Sequence, residues 1–144
     1  MPTTILAVLV FVQIIAGAFV AGLKAGRTYN TWPLMDGDFV PAGYGQLAPF
    51  WRNFFENIAA VQFNHRVIAY AVLLATLWVI FIARPYARLK SHLWAVGALV
   101  FVQVLLGIYV LLTGDALKLA LLHQFTAILV WLAVVSLMRA ASKA

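Results

Sequence analysis

The sequence predicts an all-α integral membrane protein, a four-helix bundle built from two parallel helix-pair repeats, with an ordered outer loop between helices one and two. Composition is the first reason. Of 144 residues 65% are hydrophobic, only ten are Lys or Arg and four Asp or Glu, and the mean hydropathy is +0.99. So few polar groups cannot cover a water-soluble domain of this size. The second reason is four apolar runs, each as long as the roughly 20 residues a helix needs to cross about 30 Å of hydrocarbon. The third is internal repetition: Phe11-Val12-Gln13, then Gly17 and Val20, recurs as Phe101-Val102-Gln103, then Gly107 and Val110.

The runs form one domain over residues 1–144, with helices expected at about 3–23, 57–83, 92–113 and 117–138. They are continuous rather than alternating, so backbone groups in lipid are satisfied within helices and not in a barrel. The first run follows a stretch, Met1 to Leu6, without a basic residue, and it exceeds a signal-peptide core, so a retained helix is expected. With no Arg-rich, Ser-rich transit segment ahead of it, a bacterial cytoplasmic membrane is favoured over the mitochondrial inner membrane. Segment 24–56 is rich in aromatics, among them Tyr29, Trp32, Phe39, Tyr44 and Trp51. That composition suits an ordered cap on the outer mouth better than a disordered linker.

Charge sets the orientation. The net charge of +6 would point to nucleic acid in a soluble protein, but here it collects at membrane edges, and no nucleic-acid partner is expected. Arg84, Arg88 and Lys90 fill the second connection, and Arg139 and Lys143 follow the fourth helix. The positive-inside rule makes these ends, and both termini, cytoplasmic. In 24–56 the bases Lys24, Arg27 and Arg52 are balanced by Asp36, Asp38 and Glu56, and Asp115 balances Lys118, so both connections face outside.

Two histidines then stand out. His65 and His123 each lie a few residues inside a helix that starts from the outer side, roughly 9 to 12 Å deep at 1.5 Å per residue. Ionisable groups are costly in a bilayer, face the bundle interior and mark functional sites. The repeat sets the two helix pairs about an axis near the membrane normal and brings both imidazoles to one central cavity. Two neutral imidazoles at one level suit the axial positions of a haem iron. Ala69 and Ala127, each four residues on, leave room beside the ring. Zinc competes as a ligand, but with no Cys in the chain and no Asp or Glu near the histidines a closed four-ligand site cannot be assembled.

Gln13 and Gln103 are candidate partners of the imidazoles, or else interhelical hydrogen-bonders. Arg66 is a candidate for a haem propionate, for Glu56, or for snorkelling to the interface. Gly17, Gly22 and Gly107 are read as close-packing positions, the tryptophans as interface and packing residues, and His92, which has no repeat partner, as interfacial.

Longer motifs add a resemblance. Ala21-Gly22-Leu23-Lys24-Ala25-Gly26-Arg27 and Tyr29-Asn30-Thr31-Trp32-Pro33-Leu34-Met35-Asp36-Gly37 are similar to the signature of the haem A synthase family, Cox15/CtaA. So are Trp51-Arg52-Asn53-Phe54-Phe55-Glu56-Asn57, Gln62-Phe63-Asn64-His65-Arg66 and Leu121-Leu122-His123-Gln124. The family has eight transmembrane helices in two four-helix halves, and this chain resembles the carboxy-terminal half. The resemblance implies a haem b held by His65 and His123, in an enzyme that oxidises haem O to haem A by converting a porphyrin methyl to a formyl group. The family's other half carries Glu-x-x-His-Arg; here the Glu position is Gln62, and an amide cannot take up a proton at neutral pH.

Oxidation itself is therefore expected elsewhere. The implied partners are the amino-terminal half or a second copy of the chain, a haem O donor enzyme, a membrane electron acceptor and the lipid bilayer. A stand-alone bis-histidine b-type cytochrome is the alternative, and a haem-free assembly protein is a third reading.

Overall fold

The structure is a computed structural model that describes residues 2–143. Five α-helices follow in order: α1 (Pro2–Gly22), α2 (Asn53–Glu56), α3 (Ile58–Ala83), α4 (Lys90–Leu112) and α5 (Leu117–Ser142). Short 3-10 turns at Ala25–Arg27, Phe50–Arg52 and Ala87–Leu89 complete it. Among the described residues no strand forms; Met35 and Asp38 make only an isolated bridge.

The four long helices are long and apolar enough to cross a membrane. Their ends fall close to expectation, with one clear difference: the last helix runs to Ser142 and takes Arg139 into its final turn. Met138, Ala140 and Ala141 are good or tolerated helix formers, and a cation near a helix C-terminus complements the exposed carbonyls there. Pro2 opens α1 where its missing N–H costs nothing. Asn57 caps α3, its side-chain oxygen accepting from the Ala60 amide at 3.1 Å.

The ring order of the bundle follows from which helices touch. α1 packs chiefly on α3 and α4 on α5, and the pairs join through α1 with α5 and α3 with α4. The two histidine helices, α3 and α5, therefore stand at opposite corners. Inward positions alternate by three and four residues, the spacing that lets neighbouring helices interdigitate along a seam. On α1 the seam is Thr3, Leu6, Val10, then Gln13 and Gly17; on α4 it is Leu93, Val96, Val100, then Gln103 and Gly107. On α3 it is Gln62, His65, Ala69, Val72, Thr76, Val79 and Ala83.

The apolar residues of these seams all fall in one half of the bundle. Leu6, Val10, Val79, Val96, Val134 and Leu137 are at most 3% exposed and form one cluster. Arg88 lies at that end, its Nη1 donating to the Lys143 carbonyl at 3.3 Å. The other half, beneath segment 24–56, carries the polar seam positions. Large outward side chains such as Leu74, Trp94 and Leu117 are exposed, as a lipid-facing surface requires.

Segment 24–56 is ordered by hydrogen bonds rather than by regular structure. Asn53, 1% exposed, donates to the Leu47 and Phe50 carbonyls and accepts from the Leu47 amide. Asn57 donates to the Gly43 carbonyl and to Asn53 Oδ1. Asp36 and Gly37, both at positive φ, make the tight turn that lets Met35 and Asp38 pair, and Thr31 Oγ1 accepts from the Asp36 amide at 2.7 Å. Arg27 and Asp115 meet at 3.6 Å and tie this segment to the connection between α4 and α5.

Candidate functional site

Continuing the α1 seam outward from Val10 brings Gln13 to the level of His65, and continuing the α4 seam from Val100 brings Gln103 to His123. The Gln13 amide nitrogen lies 3.3 Å from His65 Nε2, and the Gln103 amide nitrogen 3.4 Å from His123 Nε2. One turn further along each seam stands a glycine. A Cβ built on Gly17 would lie 3.1 Å from His65 Cε1, and one on Gly107 would lie 3.0 Å from His123 Cε1.

Each imidazole thus rests on a neighbouring helix at a glycine and faces a carboxamide four residues earlier. The glycines are not simply packing positions between helices; they clear the space the ring occupies. The polar atoms left over are as informative as those paired: His65 Nδ1, His123 Nδ1, Gln13 Oε1 and Gln103 Oε1, together with Gln62 Oε1 and Arg66 Nε on α3, are buried and have no hydrogen-bond partner. Buried polar atoms in that condition call for an explanation, such as a ligand that completes them.

The seats differ in one respect. Gln103 Nε2 also donates to the His123 backbone carbonyl at 3.0 Å, while Gln13 has the ring alone. Interhelical hydrogen bonds in membranes average only about 0.6 kcal/mol, so these contacts orient side chains more than they hold helices together.

Gln62 and Arg66 lie one turn apart on α3, and both reach segment 24–56. Gln62 Nε2 donates to the Ala25 carbonyl at 3.3 Å and the Tyr29 carbonyl at 2.9 Å; the residue is 3% exposed. Arg66 donates through Nη2 to the Tyr29 carbonyl at 3.2 Å and through Nη1 to the Leu34 carbonyl at 3.5 Å. Of the two partners considered for Arg66, Glu56 is taken by Arg52, from whose guanidinium it accepts four residues away. Gln62 acts here as a donor to carbonyl oxygens, a task an ionised carboxylate cannot perform.

Two hollows flank this region. One of about 320 Å³ lies between α1 and α3, lined by residues including Val12, Phe19, Val61 and Asn64. The other, about 280 Å³, lies between segment 33–39 and α3, with Phe63, Arg66 and Tyr70 on its wall. Neither is lined by a histidine. His92 sits in the first turn of α4, away from both seats, with Ser91 as its near neighbour. Among the described residues no group of three or more His, Cys, Asp or Glu converges.

Fold and site together define a polytopic helical membrane protein whose bundle carries two histidine, glutamine and glycine seats in the half beneath the folded segment 24–56. The chain belongs to the family described as cytochrome oxidase assembly protein, COX15-CtaA, whose model matches residues 2–135. It is 50% identical over 131 residues to the heme A synthase of Maricaulis maris (strain MCS10), which covers 89% of this chain and 38% of that protein. It is 45% identical over 123 residues to the heme A synthase of Parvibaculum lavamentivorans, covering 85% and 36%. To the heme A synthase of Nitrosospira multiformis it is 44% identical over 136 residues, covering 91% and 38%. The chain thus spans less than two fifths of the length of these relatives. No solved structure matches it.

Proposed function

We propose that this chain supplies the haem b-binding half of a heme A synthase, with His65 and His123 as the two axial ligands of one haem. The observation that carries the reading is the pair of seats. Each presents a buried imidazole with an unpartnered ring nitrogen, a glycine where any side chain would crowd the ring, and a carboxamide beside it. Haem suits this donor set: two neutral imidazoles with no nearby carboxylate are the ligands of a low-spin iron. Bound there, it supplies reversible one-electron carriage. The helix-pair repeat belongs to the same reading, since Gln13 and Gly17 stand to His65 as Gln103 and Gly107 stand to His123.

The chain's own residues have distinct parts in this reading. His65 and His123, on helices at opposite corners of the bundle, would hold the iron, and the apolar half would close the site from one side. Gln62 and Arg66 clamp segment 24–38 over the other side and keep water out. Arg66 spends two of its N–H groups on that clamp, which supports a closing role ahead of pairing with a propionate. Oxidation of haem O is assigned to the portion of the relatives' length that this chain does not span. A haem O donor enzyme and a membrane electron acceptor complete the set of partners. The membrane is the bacterial cytoplasmic one, with both termini and the Arg88 end inside.

The test supplies haem O to membranes containing this chain alone and to membranes also containing the remaining portion of a relative, with haem extracts separated by chromatography. Haem A is expected only in the second. Haem A from the chain alone contradicts the division of labour. Haem b without conversion in either favours the stand-alone cytochrome.

A further inference from the structure

We infer that Gln13 and Gln103 are positioning residues that fix the ring orientation of His65 and His123, with Gly17 and Gly107 as the floors against which the rings lie. This rests on the reading of both histidines as axial ligands. A histidine ring turns broadly about its last side-chain torsion unless something touches it. Within the bundle each ring meets the neighbouring helix at two points, an amide at Nε2 and a glycine beneath Cε1. Two contacts on different ring atoms remove that rotation.

No other hydrogen bond anchors either ring, and with iron on Nδ1, buried and without a partner, each neutral ring carries its proton on Nε2, so the carboxamide must turn to offer Oε1, the atom left unpartnered in both glutamines. The spacing that aims these groups is the same on both helices: glutamine and glycine are four residues apart and so share a helix face. The contrast with Gln62 sharpens the point. That amide is spent on loop carbonyls, whereas Gln13 and Gln103 are spent on the imidazoles. Partners of a ligating imidazole commonly set its orientation and donor strength.

The experiment is low-temperature electron paramagnetic resonance of the ferric, haem-loaded full chain, comparing wild type with Gln13→Leu and Gln103→Leu. The low-field line of a bis-imidazole haem depends on the angle between the two ring planes. It should shift or broaden in both variants, while haem content stays within about twofold of wild type. Spectra that superimpose on wild type at full haem content overturn the inference.

Should a leucine variant lose its haem, Gln13→Glu and Gln103→Glu provide the second arm, since they keep the shape and a polar contact to the ring. Haem regained with a changed midpoint potential supports positioning. Haem lost equally in the leucine and glutamate variants, at unchanged helix content, overturns it. A wild-type chain without haem instead rejects the axial-ligand reading beneath it, a distinguishable result.

Discussion

At the scale of single residues, the glycine floors make the sharpest stability prediction. A methyl at Gly17 or Gly107 must move an imidazole from its 3.1 or 3.0 Å approach, and crowding a packed interior costs about 1–3 kcal/mol. Gly17→Ala and Gly107→Ala should therefore lower haem content and melting temperature together. Gly22→Ala, with nothing within 4 Å, should change neither. Gln62 makes a second case. Gln62→Leu removes one donor from each of the Ala25 and Tyr29 carbonyls, which keep the Thr28 amide and Arg66 as partners, at about 0.5–1.5 kcal/mol. Gln62→Glu replaces the donating nitrogen by an oxygen, so both variants should speed proteolysis of segment 24–38, and a cleavage rate equal to wild type contradicts the clamp. The histidine pair was legible from sequence because ionisable residues are rare inside apolar runs. The role of the glycines was not, because a glycine facing a ring and a glycine facing a helix leave the same mark in a sequence. The one signal was the shared Gln-x-x-x-Gly spacing opposite each histidine.

At the scale of elements, the long helices could be read from composition alone, and their ends differ by a few residues because hydropathy does not mark where a helix stops, as the turn of α5 that carries Arg139 shows. The order of segment 24–56 was legible only as an aromatic-rich stretch. Its actual ties, from Asn53 to Leu47 and Phe50 and from Asn57 to Gly43, are polar contacts that no periodicity announces. Asn57→Ala removes the α3 cap, for about 1 kcal/mol, and Asn53→Ala should cost more because its side chain, 1% exposed, makes four hydrogen bonds. Melting of the purified protein in detergent should rank them in that order. The nearby Arg52 and Glu56 pair should matter little. Its hydrogen bond holds the Glu56 carboxyl below the usual carboxylate range, so any stabilisation is complete above the unfolded value and fades as pH falls through the folded one. Both ends are in water, and Glu56→Gln should melt like wild type near neutral pH.

At the scale of the whole molecule, the bundle divides its labour by depth. Apolar seams close the half near Arg88, and polar seams occupy the half beneath segment 24–56, with the histidine helices at opposite corners. The chain contains no cysteine, so single cysteines report topology cleanly. Ser91→Cys should react with a membrane-impermeant thiol reagent only after cells are broken, and Gln46→Cys in intact cells; the reverse pattern contradicts the orientation. The central claim is that one haem is held jointly by His65 and His123. Its most direct test is the reduced-minus-oxidised spectrum and haem-to-protein ratio of the detergent-purified chain, compared with His65→Ala and His123→Ala. The account predicts one low-spin b-type haem per chain, with the bis-histidine spectrum lost in either variant. A wild-type chain without haem, or a spectrum that survives either substitution, would contradict it.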